Sequence, residues 1–222
     1  MSCKTTTSFV SALGACVCLL ACWTPSDARA QPASSGTSYP DWPCVQHKVP
    51  VLSSTQIWDG PPVEDVKEWW NDAGAVKLVP VLVSRRVPVT EAEKAIEDYA
   101  RSLPDAERDR RLTVLFAGAL ARTNEVRASV MNGIEKFQRR QRARAEELER
   151  QGLELAALHK KKEASPGEAG EKALADAQER YDWDARVFQE RQQSIPLACE
   201  IPVMIESRIF EIGRAIRSHM SN

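Results

Sequence analysis

The chain has 222 residues, with 30 basic and 31 acidic side chains and a formal net charge of −1. This near-neutral balance gives no general attraction to nucleic acid or to an anionic membrane, so the composition predicts neither as a partner. Hydrophobic residues make up 43% of the chain, which is enough for one domain with its own core.

The first 30 residues follow the plan of a secretory signal peptide. Lys4 precedes an apolar run that extends from Phe9 to Trp23, and residues 28–30 form an A-x-A cleavage site. The run is shorter than the roughly 20 apolar residues that a membrane span needs. We therefore expect cleavage near Ala30 and release of a soluble protein into the periplasm of a bacterial-type envelope.

A lipid anchor is the alternative for the same segment. Residues 19–22 read LLAC, which loosely resembles a lipobox in which Cys22 would be acylated and kept as the mature N-terminus. Leucine at the second position of that motif is unusual, so cleavage near Ala30 is the preferred interpretation. The membrane is a partner only if Cys22 carries a lipid.

Two cysteines remain after the predicted cleavage. Because two cysteines in an oxidising compartment most often pair, the sequence predicts a disulfide between Cys44 and Cys199. Cys44 and His47 have a C-x-x-H spacing, but structural zinc uses four ligands that usually come in paired clusters, and the chain has no second pair. We therefore predict no metal site.

Residues 31–71 precede the helical part of the chain. Residues 31–40 are small and polar and predict a flexible leader. Residues 41–71, which we call the arm, are rich in proline and therefore predicted to be extended. The arm carries four of the six tryptophans, which we expect to pack on the protein's own helices; they are Trp42, Trp58, Trp69 and Trp70.

Residues 72–222 predict a helical domain. The stretch 72–89 fits a short helix started by Asn71 or Asp72, although a pair of strands also fits. Thr90 opens a capping box, which predicts a helix that ends near Ser102. Pro104 precedes a second helix, and Asn124 is suited to cap a third.

The stretch 124–195 predicts a long antiparallel helical hairpin. Residues at heptad spacing from Val130 to Leu158 form a seam with an apolar start, a polar middle and an apolar end. A turn follows at residues 164–170, and a matching stripe returns to Ile195. Folding the chain back at Pro166 sets Leu158 opposite Leu174, Gln151 opposite Tyr181, and Arg144 opposite Phe188. The expected length is on the order of 40–50 Å, and Arg144 is expected to stack on Phe188.

A final helix is expected to start near Cys199, with Pro202 in its first turn and Pro196 ending the hairpin. Isoleucines at 205, 209, 212 and 216 form its apolar stripe, and arginines at 208, 214 and 217 lie on its other faces. The predicted fold class is all-α: an irregular helical bundle with a long coiled-coil-like hairpin and an extended N-terminal arm.

The sequence contains no catalytic constellation that we can recognise. Its three histidines, His47, His159 and His219, lie in separate parts of the chain, and no nucleotide-binding or hydrolase motif occurs. A basic cluster at residues 136–144 is followed by glutamates at 146, 147 and 149, which predicts a salt-bridged, solvated helix face and no nucleic-acid site. We expect no enzymatic activity, no catalytic residue and no cofactor.

These features predict a non-enzymatic accessory or scaffold protein of the bacterial cell envelope. Its hairpin would dock to a partner protein, because a two-helix seam with polar central residues gains from a third surface. The candidate partner-binding residues are Arg144, Tyr181, Phe188, Lys160, Lys161 and Lys162. The alternative is a periplasmic holdase or small-ligand-binding protein that uses the tryptophan-rich arm.

Overall fold

The structure is a computed structural model that describes residues 39–221. The predicted signal peptide, its cleavage site at Ala30, the lipobox cysteine Cys22 and most of the leader lie outside the described residues. Within that range the chain forms helices and no strand, which confirms the all-α fold class. None of these helices combines the length and the apolarity that crossing a membrane requires.

Six α-helices follow one another along the described chain. A short 3-10 turn, Trp69–Asn71, separates the first two. The helices are α1 (Ser54–Ile57), α2 (Ala73–Val83), α3 (Val89–Ser102), α4 (Asp105–Ala164), α5 (Glu168–Gln193) and α6 (Ile195–Arg217).

The start of α2 decides between helix and strand for residues 72–89. The carboxylate of Asp72 accepts hydrogen bonds from the backbone N–H groups of Gly74 and Ala75, each at 2.9 Å, as an N-cap residue does. It also accepts from the Tyr99 hydroxyl at 3.1 Å and pairs with Arg111 at 2.8 Å. The predicted short helix is confirmed, and its cap also ties α2 to α3 and α4.

The predicted break at Asn124 is wrong, because α4 is one helix of 60 residues. The Asn124 side chain does not cap a helix. Its oxygen accepts from the backbone N–H of Leu52 at 2.9 Å, and its amide donates to the Leu52 carbonyl at 3.1 Å. Asparagine at this position therefore holds the arm, while good helix formers on both sides continue the helix.

The last helix starts four residues earlier than predicted. A single residue, Ser194, separates α5 from α6, which begins at Ile195. Pro196 lies in the first turn of α6, where a backbone N–H has no partner within the helix, so proline is tolerated there. Pro202 is buried inside the helix and does not lie in its first turn.

The main core lies between α2, α3, the first half of α4 and α6, which together we call the base. The isoleucine stripe of α6 is buried there as predicted, with Ile209, Ile212 and Ile216 each at most 2% exposed. Phe116 of α4 is fully buried, and Trp58 of the arm stacks on it with ring centroids 4.1 Å apart. The arm therefore packs on the protein's own helices.

Arg208 differs from the expectation that the arginines of α6 face away from the core. Arg208 is only 9% exposed, and its guanidinium donates hydrogen bonds to the carbonyls of Leu82 at 2.6 Å and Val87 at 2.8 Å. These acceptors lie at the end of α2 and in the loop that follows, where a cation also opposes the helix dipole. Arg208 therefore closes the C-terminal end of α2.

Candidate functional site

The hairpin formed by α5 and the part of α4 from Asn124 onward is the candidate site. Met131 and Ile134 of α4 are buried at the end near Asn124, and a separate apolar cluster of the seam lies next to the turn. Leu155, Leu174 and Ala177 are buried there, with Leu158 and Tyr181 packed against them. The predicted approach of Leu158 to Leu174 is confirmed, since both belong to this one cluster. Tyr181 belongs to the seam itself, so its ring stabilises the hairpin directly.

In the middle of the hairpin, the seam is polar and is organised around Asp184 of α5. Arg144 reaches one carboxylate oxygen of Asp184 at 3.3 Å, and the Gln151 amide donates to the other at 2.9 Å. Gln151 also donates to Glu147 at 3.1 Å. The two hydrogen bonds to Asp184 join the two helices without burying apolar surface.

The expected stacking of Arg144 on Phe188 is wrong. Among the described residues, the partner of Arg144 is the carboxylate of Asp184, and Phe188 is a half-buried residue one turn farther along α5. A charge-assisted hydrogen bond attracts a guanidinium more strongly than an aromatic face does at a partly solvated site. Asp184 belongs to the returning stripe, and its charge, opposite to that of Arg144, was the signal that could have identified it as the partner.

Buried amides further weaken the apolar character of the seam. Gln141 of α4 is only 2% exposed, and its side-chain oxygen accepts no hydrogen bond from the described residues. The same holds for the side-chain oxygens of Gln138 and Gln151. A buried acceptor without a protein donor contributes nothing to stability and costs about 1–3 kcal/mol of desolvation.

The turn end of the hairpin carries the predicted lysines. Lys160 and Lys161 are exposed, and Lys162 pairs with Glu171 of α5 at 3.6 Å across the turn. Positive charge in the last turn of α4 also opposes its helix dipole. Lys162 thus has a partner within the hairpin, whereas Lys160 and Lys161 are exposed to solvent.

Two large apolar side chains on the outer faces of the hairpin were missed by sequence reasoning. Trp183 of α5 is 62% exposed and Leu153 of α4 is 68% exposed. The heptad register held the signal, because both residues fall between seam positions, where helices in water carry polar side chains. An exposed tryptophan, here flanked by Arg180 and Arg186 on the same helix, is typical of a binding hot spot.

The arm fixes the start of the hairpin to the base. Asp41 pairs with Arg139 at 2.9 Å and with Arg142 at 2.7 Å, and Lys48 pairs with Glu135 at 2.5 Å. The Arg139 hydrogen bond is the main reason that the pKa of Asp41 lies below its usual value. The basic cluster is thus neutralised in part by the arm, and not by the glutamates that follow it in sequence.

Cys44 and Cys199 form the predicted disulfide, with Cα atoms 5.6 Å apart and a sequence separation of 155. The bond joins the arm to the first turns of α6, and the Gln46 amide donates to the Cys199 carbonyl at 2.5 Å beside it. Nearby, Arg127 of α4 pairs with Glu206 of α6 and also donates to the Val49 carbonyl. A disulfide of this kind fits an oxidising compartment.

The comparisons with known proteins add no relative. No family model, no curated protein and no solved structure matches this chain.

Within residues 39–221, no three histidine, cysteine, aspartate or glutamate side chains lie close enough together to hold a metal ion.

Proposed function

We propose that the chain is a non-enzymatic, exported scaffold protein of the bacterial cell envelope whose hairpin docks to a partner protein. The observation that carries the proposal is the exposure of Trp183 on a two-helix projection. Trp183 is 62% exposed among charged residues, so a partner that covers its ring removes a large apolar surface from water, which favours binding.

The construction of the molecule supports this role. The base has a large core and is tied to the arm by the disulfide and by ion pairs. By contrast, the apolar cluster near the turn of the hairpin contains only three buried residues. A partner helix laid along the hairpin would add the apolar contacts that the polar seam around Asp184 lacks. We therefore assign recognition to the hairpin and anchorage to the base.

Two features support export to the periplasm. The apolar run from Phe9 to Trp23 followed by a cleavage site fits a signal peptide, and the Cys44–Cys199 disulfide needs an oxidising environment to form and persist. Acylation at Cys22 would keep the same protein at the membrane. Mass measurement of the mature chain distinguishes the two forms, because only the anchored form retains residues 22–30 and a lipid.

Affinity capture of the crosslinked, tagged protein from native envelopes tests the docking role. We expect one stoichiometric partner that is lost with Trp183→Ala and retained with Trp70→Ala. Trp70 is a matched control because it is an arm tryptophan exposed to 57%. Equal capture by the two variants would rule out Trp183 as the contact, and capture of many unrelated polypeptides would indicate a chaperone.

The candidate residues predicted from the sequence differ in whether their exchange also disturbs the hairpin seam. Exchange of Lys160 and Lys161 for glutamine probes the turn end of the hairpin without touching the seam, and Phe188→Ala probes the half-buried flank of α5. Tyr181→Ala and Arg144→Ala also weaken the seam, so their effect on binding must be compared with their effect on helix content.

The alternative, a holdase or small-ligand binder that uses the arm, has less support. Trp58 is stacked on Phe116, and Trp69 packs against the core beside Gly118. Two of the four arm tryptophans therefore pack on the core, and Trp42 donates a hydrogen bond to the Gln46 carbonyl at 2.8 Å. Titration with an unfolded client or an apolar ligand, followed by tryptophan fluorescence, tests this alternative. Unchanged fluorescence would argue against it. A saturable change in both the parent protein and the Trp70→Ala variant would support it.

A further inference from the structure

One face of α6 turns apolar side chains to solvent. Leu197 is 72% exposed, Val203 43%, Met204 50% and Phe210 42%, although the opposite face of the same helix is core. At 3.6 residues per turn, Ser207 lies at the centre of this exposed face, directly opposite the isoleucine stripe. We call this surface, residues 197–214 of α6, the outer face.

Of the charged residues on the outer face, Glu200 and Arg214 are arranged symmetrically about Ser207. Glu200 lies seven positions before it and Arg214 seven positions after it, about 21 Å apart along the helix axis. That distance prevents them from pairing with each other, and neither forms an ion pair with any residue in the range 39–221. The Arg214 guanidinium lies over the Phe210 ring, 5.1 Å from its centroid, which holds the charge on this face.

We propose that the outer face binds a second copy of this chain, with the two α6 helices antiparallel about a two-fold axis at Ser207. In that arrangement Glu200 meets the second copy's Arg214, and Arg214 meets the second copy's Glu200. Phe210 packs against the second copy's Met204, and the small Ser207 lets the helices approach closely. A self-complementary surface of this kind is what a two-fold dimer requires.

The opposite orientation is disfavoured by the same residues. In a parallel pair Glu200 would face the second copy's Glu200, and Arg214 would face its Arg214. Like charges brought together at an interface cost free energy, whereas the antiparallel pair forms two opposite-charge contacts and opposes the two helix dipoles. The charge pattern therefore selects one orientation.

The surface beside α6 has room for side chains of a second helix. One open groove of about 520 Å³ lies between α6 and the arm and is lined in part by Val49, Ile57 and Phe210. A second groove of about 440 Å³ lies between α6 and the segment between α2 and α3, beside Val89 and Met204. Ser207 and Glu211 line both grooves, so the centre of the outer face is the ridge between them.

Sedimentation of the purified chain over a range of concentrations tests the proposal. Because a single helix pair with two grooves makes a small interface, we expect a reversible dimer with a dissociation constant on the order of 10 µM. Glu200→Arg and Arg214→Glu each place like charges across the interface and should weaken the dimer at least about tenfold. The variant that combines both exchanges restores opposite charges and should recover the dimer.

Glu190→Arg is the matched control, since Glu190 is an exposed glutamate of α5 away from the outer face, and it should leave the dimer unchanged. Circular dichroism confirms that each variant retains its helix content. A chain that stays monomeric up to millimolar concentration would overturn the proposal. So would a dimer that tolerates both single exchanges, or one that the combined exchange fails to restore. None of these results depends on whether the hairpin docks to a partner protein.

Discussion

Arg208 is a cation of the base that forms no ion pair with a carboxylate in the described range, residues 39–221. Its guanidinium is held by backbone carbonyls at the end of α2, and burial lowers its pKa below the usual value for arginine. The side chain therefore exchanges water for carbonyl oxygens that would otherwise lie buried without donors. Its loss leaves those acceptors unpaired.

We expect Arg208→Met to lower the free energy of unfolding by about 2–4 kcal/mol, because the carbonyls of Leu82 and Val87 lose their donor. Urea unfolding followed by circular dichroism measures the change. Arg101→Met is the control, since Arg101 is an exposed residue with surface ion pairs only, and it should change stability by less than about 0.5 kcal/mol. Equal effects of the two exchanges would contradict the capping role.

Asp72 predicts how stability depends on pH. Burial alone would raise the pKa of Asp72, but hydrogen bonds from Arg111, the Ala75 backbone and Tyr99 outweigh it and lower the pKa to about 2. Because the carboxyl is more acidic in the folded state, its contribution is present above about pH 4 and is lost as the pH falls toward 2.

We expect Asp72→Asn to destabilise the protein by on the order of 1–2 kcal/mol at pH 6, where the folded state benefits from the carboxylate. The difference between variant and parent should shrink toward zero near pH 2. Urea unfolding of both proteins at a series of pH values measures it. A difference that stays constant with pH would show that the charge of Asp72 contributes nothing.

Asp72 and Arg208 show which residue roles could be predicted from the sequence and which could not. Asp72 could be identified because an N-cap is a local signal, read from the few residues that follow it. Arg208 could not, since its acceptors lie more than 120 positions earlier in the chain. Trp183 and Asp184 were visible in the sequence, but their roles depend on which side of α5 meets α4.

At the scale of elements, α4 is the helix on which the rest of the molecule is assembled. Two of its glycines have opposite surroundings. A Cβ atom added at Gly118 would lie 2.8 Å from the Trp69 ring and 3.0 Å from Val79, whereas one added at Gly133 meets nothing within 4 Å. Gly118 therefore serves the close packing of the arm and α2 on α4, and Gly133 serves no contact.

We expect Gly118→Ala to destabilise the protein by about 1–3 kcal/mol, because the Trp69 ring and the buried Val79 must move. Gly133→Ala should instead stabilise it by about 0.5–1 kcal/mol, since alanine is the better helix former. Thermal unfolding of both variants measures the two signs. Stabilisation by both exchanges would mean that the Trp69 ring can move away from residue 118 at little cost in free energy.

The extent of α4 shows why element boundaries were harder to predict than elements. The helices near residues 73–83 and 90–102 and the seam pairing of Leu158 with Leu174 follow from local periodicity, and the structure confirms them. The continuity of α4 depends on what binds Asn124, and its partner Leu52 is 72 positions away. A capping side chain predicts a helix start only where no distant group takes its hydrogen bonds.

At the scale of the whole molecule, the disulfide closes most of the described chain into one loop. Loop-closure entropy for 155 positions gives a stabilisation of at most about 5 kcal/mol. The pairing itself was predictable, because cleavage near Ala30 would leave two cysteines. The ion pairs of Asp41 with Arg139 and Arg142 were not, since they join residues about 100 positions apart.

We expect the variant that carries Cys44→Ser and Cys199→Ser to unfold with a free energy lower by about 2–5 kcal/mol, because the unfolded chain regains the freedom that the bond removes. Urea unfolding under oxidising conditions measures the loss. The parent protein with a reductant should behave like the variant. A reduced parent as stable as the oxidised one would show that the arm contacts alone hold the chain.

The unbroken length of α4 also has a mechanical consequence. Sixty residues at 1.5 Å each make a rod about 90 Å long, rooted at one end among the helices of the base and free at the other beside the turn. A sideways load at the free end acts on this rod as on a lever, with the arm near Arg139 and Arg142 as its fulcrum. Cys44 lies three residues after Asp41 and holds the arm covalently to α6, so a load that reaches the arm through its ion pairs with α4 is passed on to α6.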